Sequence, residues 1–320
     1  MRGAWPLVFL VAAGTGCGAR TPLAEGTAAS SDAAISADAT AATTTLSVVL
    51  GTYTGCTTSS VTRRPNLVGG SGGAGSLTLR RQGDTVVASL DFAAWAHGDV
   101  AFAPTTAATA GLRAAQSYEV QIIDTVVHVV TVNATAGSLA VVGSTLFLAT
   151  HGTAGDDDVS TFFHCRVPPG IAPTDIVTTA PPPGRVTAGT YASCTASSST
   201  EGPLEAGISG GLGAVTLTAG AGGLHLAWPD SLLQELACNG LDFGAASVAP
   251  TLTAGQTCTL RQPCGPPPTL GMSPYPSTAT LTDLRGAVTV NRGALFIDVL
   301  GDAGAQACGV HDLLITCVAP

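Results

Sequence analysis

The chain contains no lysine: all 12 of its basic residues are arginine. Chemistry that needs an amine side chain, such as a Schiff base or a P-loop lysine, is excluded. Charge of either sign is sparse, at 10% of residues, and the balance is acidic at −9. With no basic stripe along the chain, nucleic acid is not an expected partner. Aromatic residues make up only 5% and there are two methionines, although apolar residues as a class reach 45%. Much of that class is alanine, so cores are expected to be thin and helped by covalent staples. No apolar run approaches the about 20 residues that a membrane-spanning helix needs. The 9 cysteines include no C-x2-C pair, so neither a zinc site nor any other metal or cofactor is expected.

What the sequence does have is an internal duplication. Gly51-Thr52-Tyr53 and Cys56 recur as Gly189-Thr190-Tyr191 and Cys194, an offset of 138 positions. Ser71-Gly72-Gly73 recurs as Ser209-Gly210-Gly211, and Leu77-Thr78-Leu79 as Val215-Thr216-Leu217. Further on, Leu146-Phe147 matches Leu295-Phe296 and Gly152 matches Gly301, now at an offset of 149. Each copy closes on a cysteine, Cys165 and Cys317, at an offset of 152. The offset grows only in stretches rich in Gly, Ala and Pro, where loops absorb insertions at small entropic cost. Comparing the copies separates residues that the shared fold needs from residues that only one copy has.

The N-terminus reads as an address. Met1-Arg2 is a short positive region, followed by an apolar stretch from Ala4 to Ala13 and by Gly14-Thr15-Gly16-Cys17. Its length suits the apolar region of a signal peptide. The segment resembles the lipobox of bacterial lipoproteins, with Gly14 standing where that motif usually has Leu. The resemblance implies that Cys17 is lipidated and becomes the mature N-terminus. Gly18, where an Asp would mark inner-membrane retention, implies an outer-membrane anchor on the periplasmic or surface side. The expected partner is therefore the membrane, through the lipid.

With Cys17 set aside, an even number of cysteines remains, which in an exported chain reads as a disulfide framework. The duplication selects Cys56–Cys165 and Cys194–Cys317. Cys238, Cys258, Cys264 and Cys308 occur only in the second copy. Aligning Thr109-Ala110-Gly111 with Thr253-Ala254-Gly255 places Cys258 opposite Ala114 and favours Cys258–Cys308 with Cys238–Cys264 among the possible pairings.

The expected organisation is a signal peptide over 1–16, a flexible tether over 17–45, a β module over 46–167, a Pro-rich linker over 168–186 and a second β module over 187–320. In both modules, period-two alternation on either side of a Gly-bearing turn predicts a hairpin, at Leu77 to Leu90 and at Val215 to Trp228. Further strands are predicted at 118–123, 126–132, 138–142, 145–150 and 160–165. Their second-copy partners are 278–282, 286–291, 294–300 and 312–317. Residues 231–236 suggest one helical turn. The fold class is all-β, with two tandem related β-sandwich or small β-barrel modules, each stapled by a disulfide. The Gly-x-Tyr opening strand is similar to that of lipocalin-type barrels.

Candidate sites are few. Gly69 to Gly73 and Gly207 to Gly211 both fit G-x-S-x-G. The nucleophile elbow, however, needs a strand before it and a helix after it, so a flexible loop entering a strand explains both better. Asp156-Asp157-Asp158, near His151 and His164, could offer ligands for calcium or a harder transition metal, but copy two has Gly301, Asp302 and Gln306 in that region, so the fold does not require the acidic run and it reads as a solvated loop tip. Trp95, His97 and Asp99 could form a platform for a sugar, with the indole face stacking on C–H groups. Alternation places Asp298 on the outer face of its strand. No catalytic residue is singled out. The expected function is a non-enzymatic binding or structural module of the cell envelope. Its rivals are a glycan-acting hydrolase and a lipocalin-like carrier of a small hydrophobic ligand.

If Cys17 carries the lipid, Cys17→Ser should shift the protein from the detergent-extracted membrane fraction to the soluble one. A wild-type protein that is already soluble would end the lipoprotein assignment.

Overall fold

Alternating apolar residues become strands, and the Gly-bearing turns between them become hairpins. The computed structural model describes residues 43–63, 69–92, 96–123, 127–179, 185–201, 207–228, 236–237, 240–245, 249–261, 278–304 and 310–318. Cys17, Trp95, Cys238, Cys264, Cys308 and the predicted helical turn up to residue 235 lie outside them. Among the described residues the structure is all-β.

The first copy is a closed barrel. Its strands are β2 (Gly51–Arg63), β3 (Gly69–Gln82), β4 (Thr85–Asp91), β5 (Ala96–Pro104), β6 (Thr109–Leu112), β7 (Gln116–Ile123), β8 (Val127–Val142), β9 (Thr145–Ala154) and β10 (Asp157–Arg166). The order β4-β3-β2-β10-β9-β8 continues through β7 and β5 back to β4, closing an eight-strand ring, with β6 also bridging β8 and β5. Closure leaves no open edge. At this size the interior is just wide enough for side chains to fill. Tyr53, Leu77, Phe102, Leu139, Leu148 and Phe163 fill it here, each fully buried.

The second copy is a curled half-barrel. Its strands are β12 (Gly189–Glu201), β13 (Gly207–Gly220), β14 (Gly223–Ala227), β15 (Leu236–Ala237), β16 (Leu241–Phe243), β17 (Cys258–Arg261), β18 (Thr278–Asn291), β19 (Ala294–Asp302) and β20 (Val310–Val318). They form a sheet in the order β15-β17-β18-β19-β20-β12-β13-β14-β16. The single pairs Phe243↔Leu252 and Thr251↔Ala287 span its gap. In the first barrel Phe102 pairs with Leu112, so Leu252 is the structural match of Leu112. This corrects the sequence alignment of Thr109 with Thr253. The side chains confirm the corrected register. Gln116 Oε1 accepts from Ala101 N and its Nε2 donates to Ala101 O, at 2.7 and 2.9 Å. Gln256 makes the same two bonds with Asp242, both 2.7 Å.

Both disulfides that the duplication selects are formed, Cys56–Cys165 and Cys194–Cys317. Each links the opening strand to the closing strand of its own copy, and loops this long are worth about 4–5 kcal/mol in the chain-entropy account. Cys258 is also disulfide-bonded.

Several strands are longer than alternation suggested. Residues 127–132 and 138–142 belong to one strand, β8, which carries a register shift between Ala134 and Ala136. Likewise 278–282 and 286–291 are one strand, β18, irregular between Thr282 and Arg285. A bulge resets the alternation without ending the strand, so a period-two reading stops at it. At this place Gly152 is required, because a Cβ there would meet Asn133 O at 2.1 Å. The G-x-S-x-G segments are strand, not loop: Gly69–Gly73 pairs with β2 and Gly207–Gly211 with β12. The Pro-rich stretch contains β11 (Thr174–Thr178), which pairs antiparallel with β1 (Thr44–Val48).

The duplicated opening strands differ at one backbone position. Gly55 has a φ of 64°, and its match Ser193 holds a φ of 54°. Serine in this left-handed region is strained and glycine is not. Ser193→Gly should stabilise the protein by about 0.5–1 kcal/mol and Gly55→Ser should cost a similar amount. Denaturant midpoints at unchanged m-value would show both.

Candidate functional site at the seam between the two copies

Strands β9, β10, β19 and β20 are buried on both faces over most of their length. One face of each points into its own core. The other faces bear Phe147, Ala149 and Phe162 in the first copy, and Phe296, Leu300 and Leu314 in the second. These outer residues are buried and cluster across the two copies. The two sheets are separate, and equivalent strands approach each other, β2 with β12 and β3 with β13. Asn291 of β18 reaches over to accept from Gly137 N at 3.2 Å.

Within this apolar seam lies a charged cluster. His164 on β10 donates from Nε2 to Asp298 Oδ1 at 2.6 Å and from Nδ1 to Asp312 Oδ2 at 2.9 Å. The three residues are 3%, 5% and 3% exposed. Phe147 packs edge-on against the imidazole. Burial alone would push the imidazolium down, but the two carboxylates, Asp298 foremost, hold it well above its ordinary value. Burial pushes the Asp298 carboxyl up, against the pull of His164. Asp298 Oδ2 is buried with no hydrogen-bond partner. Both imidazole nitrogens are occupied, so the arrangement holds charge and is not poised to pass a proton to a substrate.

Beside the cluster opens a cavity of about 460 Å3, lined by residues of both copies. His164 and the Cys165 end of the first disulfide border it, together with Ser144, Thr145, Arg166 and Arg285. Arg285 Nη1 crosses the seam to donate to Thr145 Oγ1 at 3.1 Å and to Ser144 Oγ at 3.3 Å.

The residues singled out in the sequence lie elsewhere, apart from His164 and Asp298. His97 and Asp99 share the exposed outer face of β5. Asp99 is engaged by Arg80 at 2.7 Å and by Ser89 at 2.6 Å, and His97 lies 3.9 Å from Asp91. Asp156 sits in the exposed turn between β9 and β10, with Asp157 and Asp158 opening β10. His151 bonds Ser160 at 3.1 Å. Asp298 does face outward from its barrel, but the first copy covers that face, so the residue is buried. Asp312 and Arg285 went unremarked in the sequence. The signal that could have found them is the double-sided apolar character of Leu146 to Ala149, Phe162-Phe163 and Ala294 to Leu300. A strand with both faces apolar is covered on both.

Comparison with known proteins places little around this site. No protein-family model and no curated protein matches the chain. A candidate outer membrane protein of Bacteroides fragilis aligns over 84% of this chain and 97% of its own, at 13% identity and a TM-score of 0.27. A protein of unknown function from Nostoc punctiforme, of the DUF3598 family, aligns over 85% and 96%, at 10% identity and a TM-score of 0.21. Scores this low carry neither fold nor function across.

Removing His164 would leave two carboxylates facing each other in an apolar seam. His164→Gln should cost about 3–5 kcal/mol, whereas replacing all three residues with Leu should be close to neutral. The His164 contribution is complete below its unfolded pKa of about 6.5 and is lost as pH rises through its raised folded value. Asp298, whose carboxyl is likewise raised, has a slope of the same sign: its buried charge is a cost that is relieved as pH falls. Wild-type melting temperature should therefore decline on the alkaline side, and the decline should be shallower in His164→Gln.

Proposed function

We propose that this protein is an exported, lipid-anchored component of the cell envelope that acts as a non-enzymatic binding module. The observation that carries the binding half is the cavity of about 460 Å3 at the junction of the two copies. Its size falls within the about 300–1,000 Å3 of small-molecule sites. A carrier of the lipocalin kind would hold its ligand inside a barrel, yet here the first barrel's interior is filled by its own side chains. A glycan hydrolase would need accessible acid and base groups. The carboxylates that converge here are buried against His164.

The export half rests on the signal-like N-terminus and on the two disulfides, which persist in oxidising compartments. The cell envelope is the setting that joins a lipid at Cys17 to an oxidised, all-β body.

Two measurements test this reading on protein isolated from its native host. Cys56, Cys165, Cys194 and Cys317 should resist alkylation until reduced. Incubation with peptidoglycan and envelope polysaccharides should release no new reducing ends. Free thiols at those positions would remove the export argument, and sustained glycan turnover would replace a binding protein with a hydrolase.

A further inference from the structure

The duplication gives the seam two equivalent ends, and they are not alike. At one end lies the cavity of about 460 Å3, bordered by Gly55, His164, Arg166, Leu300 and Val310. At the offsets of the repeat, these positions become Ser193, Thr316, Val318, His151 and Asp158. Those five residues border the pocket at the other end, which holds only about 10 Å3. One fold therefore produces an open and a closed version of the same pocket. At the open end Gly55 stands where the closed end has Ser193, and Val310 where it has Asp158.

The open pocket also gains positive charge. Arg166 stands where the other end has Val318. Arg285 comes from the position that the first copy fills with Ala136, so the shared fold requires neither arginine. Among the described residues, no carboxylate bonds either of them and no acidic side chain lines the cavity. Arg285 Nε is buried without an acceptor, while Nη1 is fixed on Ser144 and Thr145. The irregularity of β18 between Thr282 and Arg285 sets the direction in which this side chain leaves the strand. The remaining charges nearby belong to His164, whose two carboxylate partners lie behind it in the seam. Leu300, Val310, Val167 and Pro169 supply apolar wall.

The geometry points to a binding site for a small organic anion, with a carboxylate or phosphate group held between Arg285 and Arg166 and an apolar body lying against Leu300 and Val310. A guanidinium that is partly buried without a counter-charge is costly, and an oxyanion entering the cavity would offset that cost. Arginine suits the role, because its planar fork matches the oxygens of either group. This assignment rests on the reading of the protein as a binding module and names the class of its ligand.

Calorimetric titration of the full chain carrying Cys17→Ser, folded in an oxidising compartment, tests it without acyl chain or detergent in competition. The probes are octanoate, octyl phosphate, 1-octanol and inorganic phosphate. Octanoate or octyl phosphate should bind with one site per chain, and at least about tenfold more tightly than 1-octanol. Arg285→Gln and Arg166→Gln should each lose about tenfold or more in affinity at unchanged circular dichroism. Val310→Trp, which fills the cavity and leaves both arginines in place, should abolish binding. Equal affinity for octanol and octanoate, or binding that survives all three substitutions, would overturn the site. Inorganic phosphate binding as tightly as octyl phosphate would remove the apolar half of the assignment. Failure of both amphiphilic anions to bind would end this inference, while alkylation and glycan assays judge the exported-module reading separately.

Discussion

Everything at the junction of the two copies depends on one cation held between two anions. His164 belongs to the first barrel, and Asp298 and Asp312 to the second, so neither copy can satisfy these groups by itself. Separated, the first would bury or expose a lone imidazole and the second a pair of repelling carboxylates. Joined, they neutralise most of their charge in a seam otherwise made of Phe, Leu and Ala. The apolar contacts supply the attraction, which has little direction of its own. The ion cluster supplies the direction, because its bond lengths tolerate little sliding of one sheet past the other. A buried cluster of this kind is weak evidence for stability and better evidence for specificity of alignment.

The duplication explains why such a seam exists. A copy built with apolar residues on both faces of its last strands has an outer face that must be covered, and an equivalent copy offers a complementary one. The polar residues then break the equivalence. His164 faces Thr316 in the alignment, Asp312 faces Ser160 and Asp298 faces Ala149, so this cluster occurs at one end only. The cavity follows the same asymmetry, being open where the arginines are and nearly closed at the other end. Two copies of one fold thus gave a scaffold, and divergence between them gave a candidate site.

The parts legible in the sequence were those that depend on short-range pattern. The hairpins around Gln82-Gly83 and Ala221-Gly222 and the all-β class follow from alternation and turn chemistry. The pairing of Cys56 with Cys165 follows from position within the repeat. Longer-range features were not legible. The bulges near Thr135 and Asp283 interrupt the alternation and split one strand into two apparent ones. The Gln116 and Gln256 side chains imitate a strand partner, and no local pattern marks a glutamine for that task. The pairing of β1 with β11 joins residues on either side of an entire barrel. Asp298 was placed correctly on the outer face of its strand. Whether an outer face meets water or another sheet is set by the partner, and the clue lay in the apolar neighbours Phe296 and Leu300.

The placement of the two disulfides sets how the protein behaves once cut. Cys56 and Cys165 enclose almost all of the first barrel, and Cys194 and Cys317 almost all of the second. A protease that nicks any single peptide bond between the members of a pair releases nothing, because both fragments stay linked through sulfur. The stretch from residue 166 to 193 is the one place between the first and last of these cysteines where a single cut severs the covalent path between the barrels. Even there, the ion cluster and the aromatic seam would hold the halves as a non-covalent pair. Molecules clipped inside either disulfide loop would thus run as smaller bands only after reduction, while keeping their shape and their cavity.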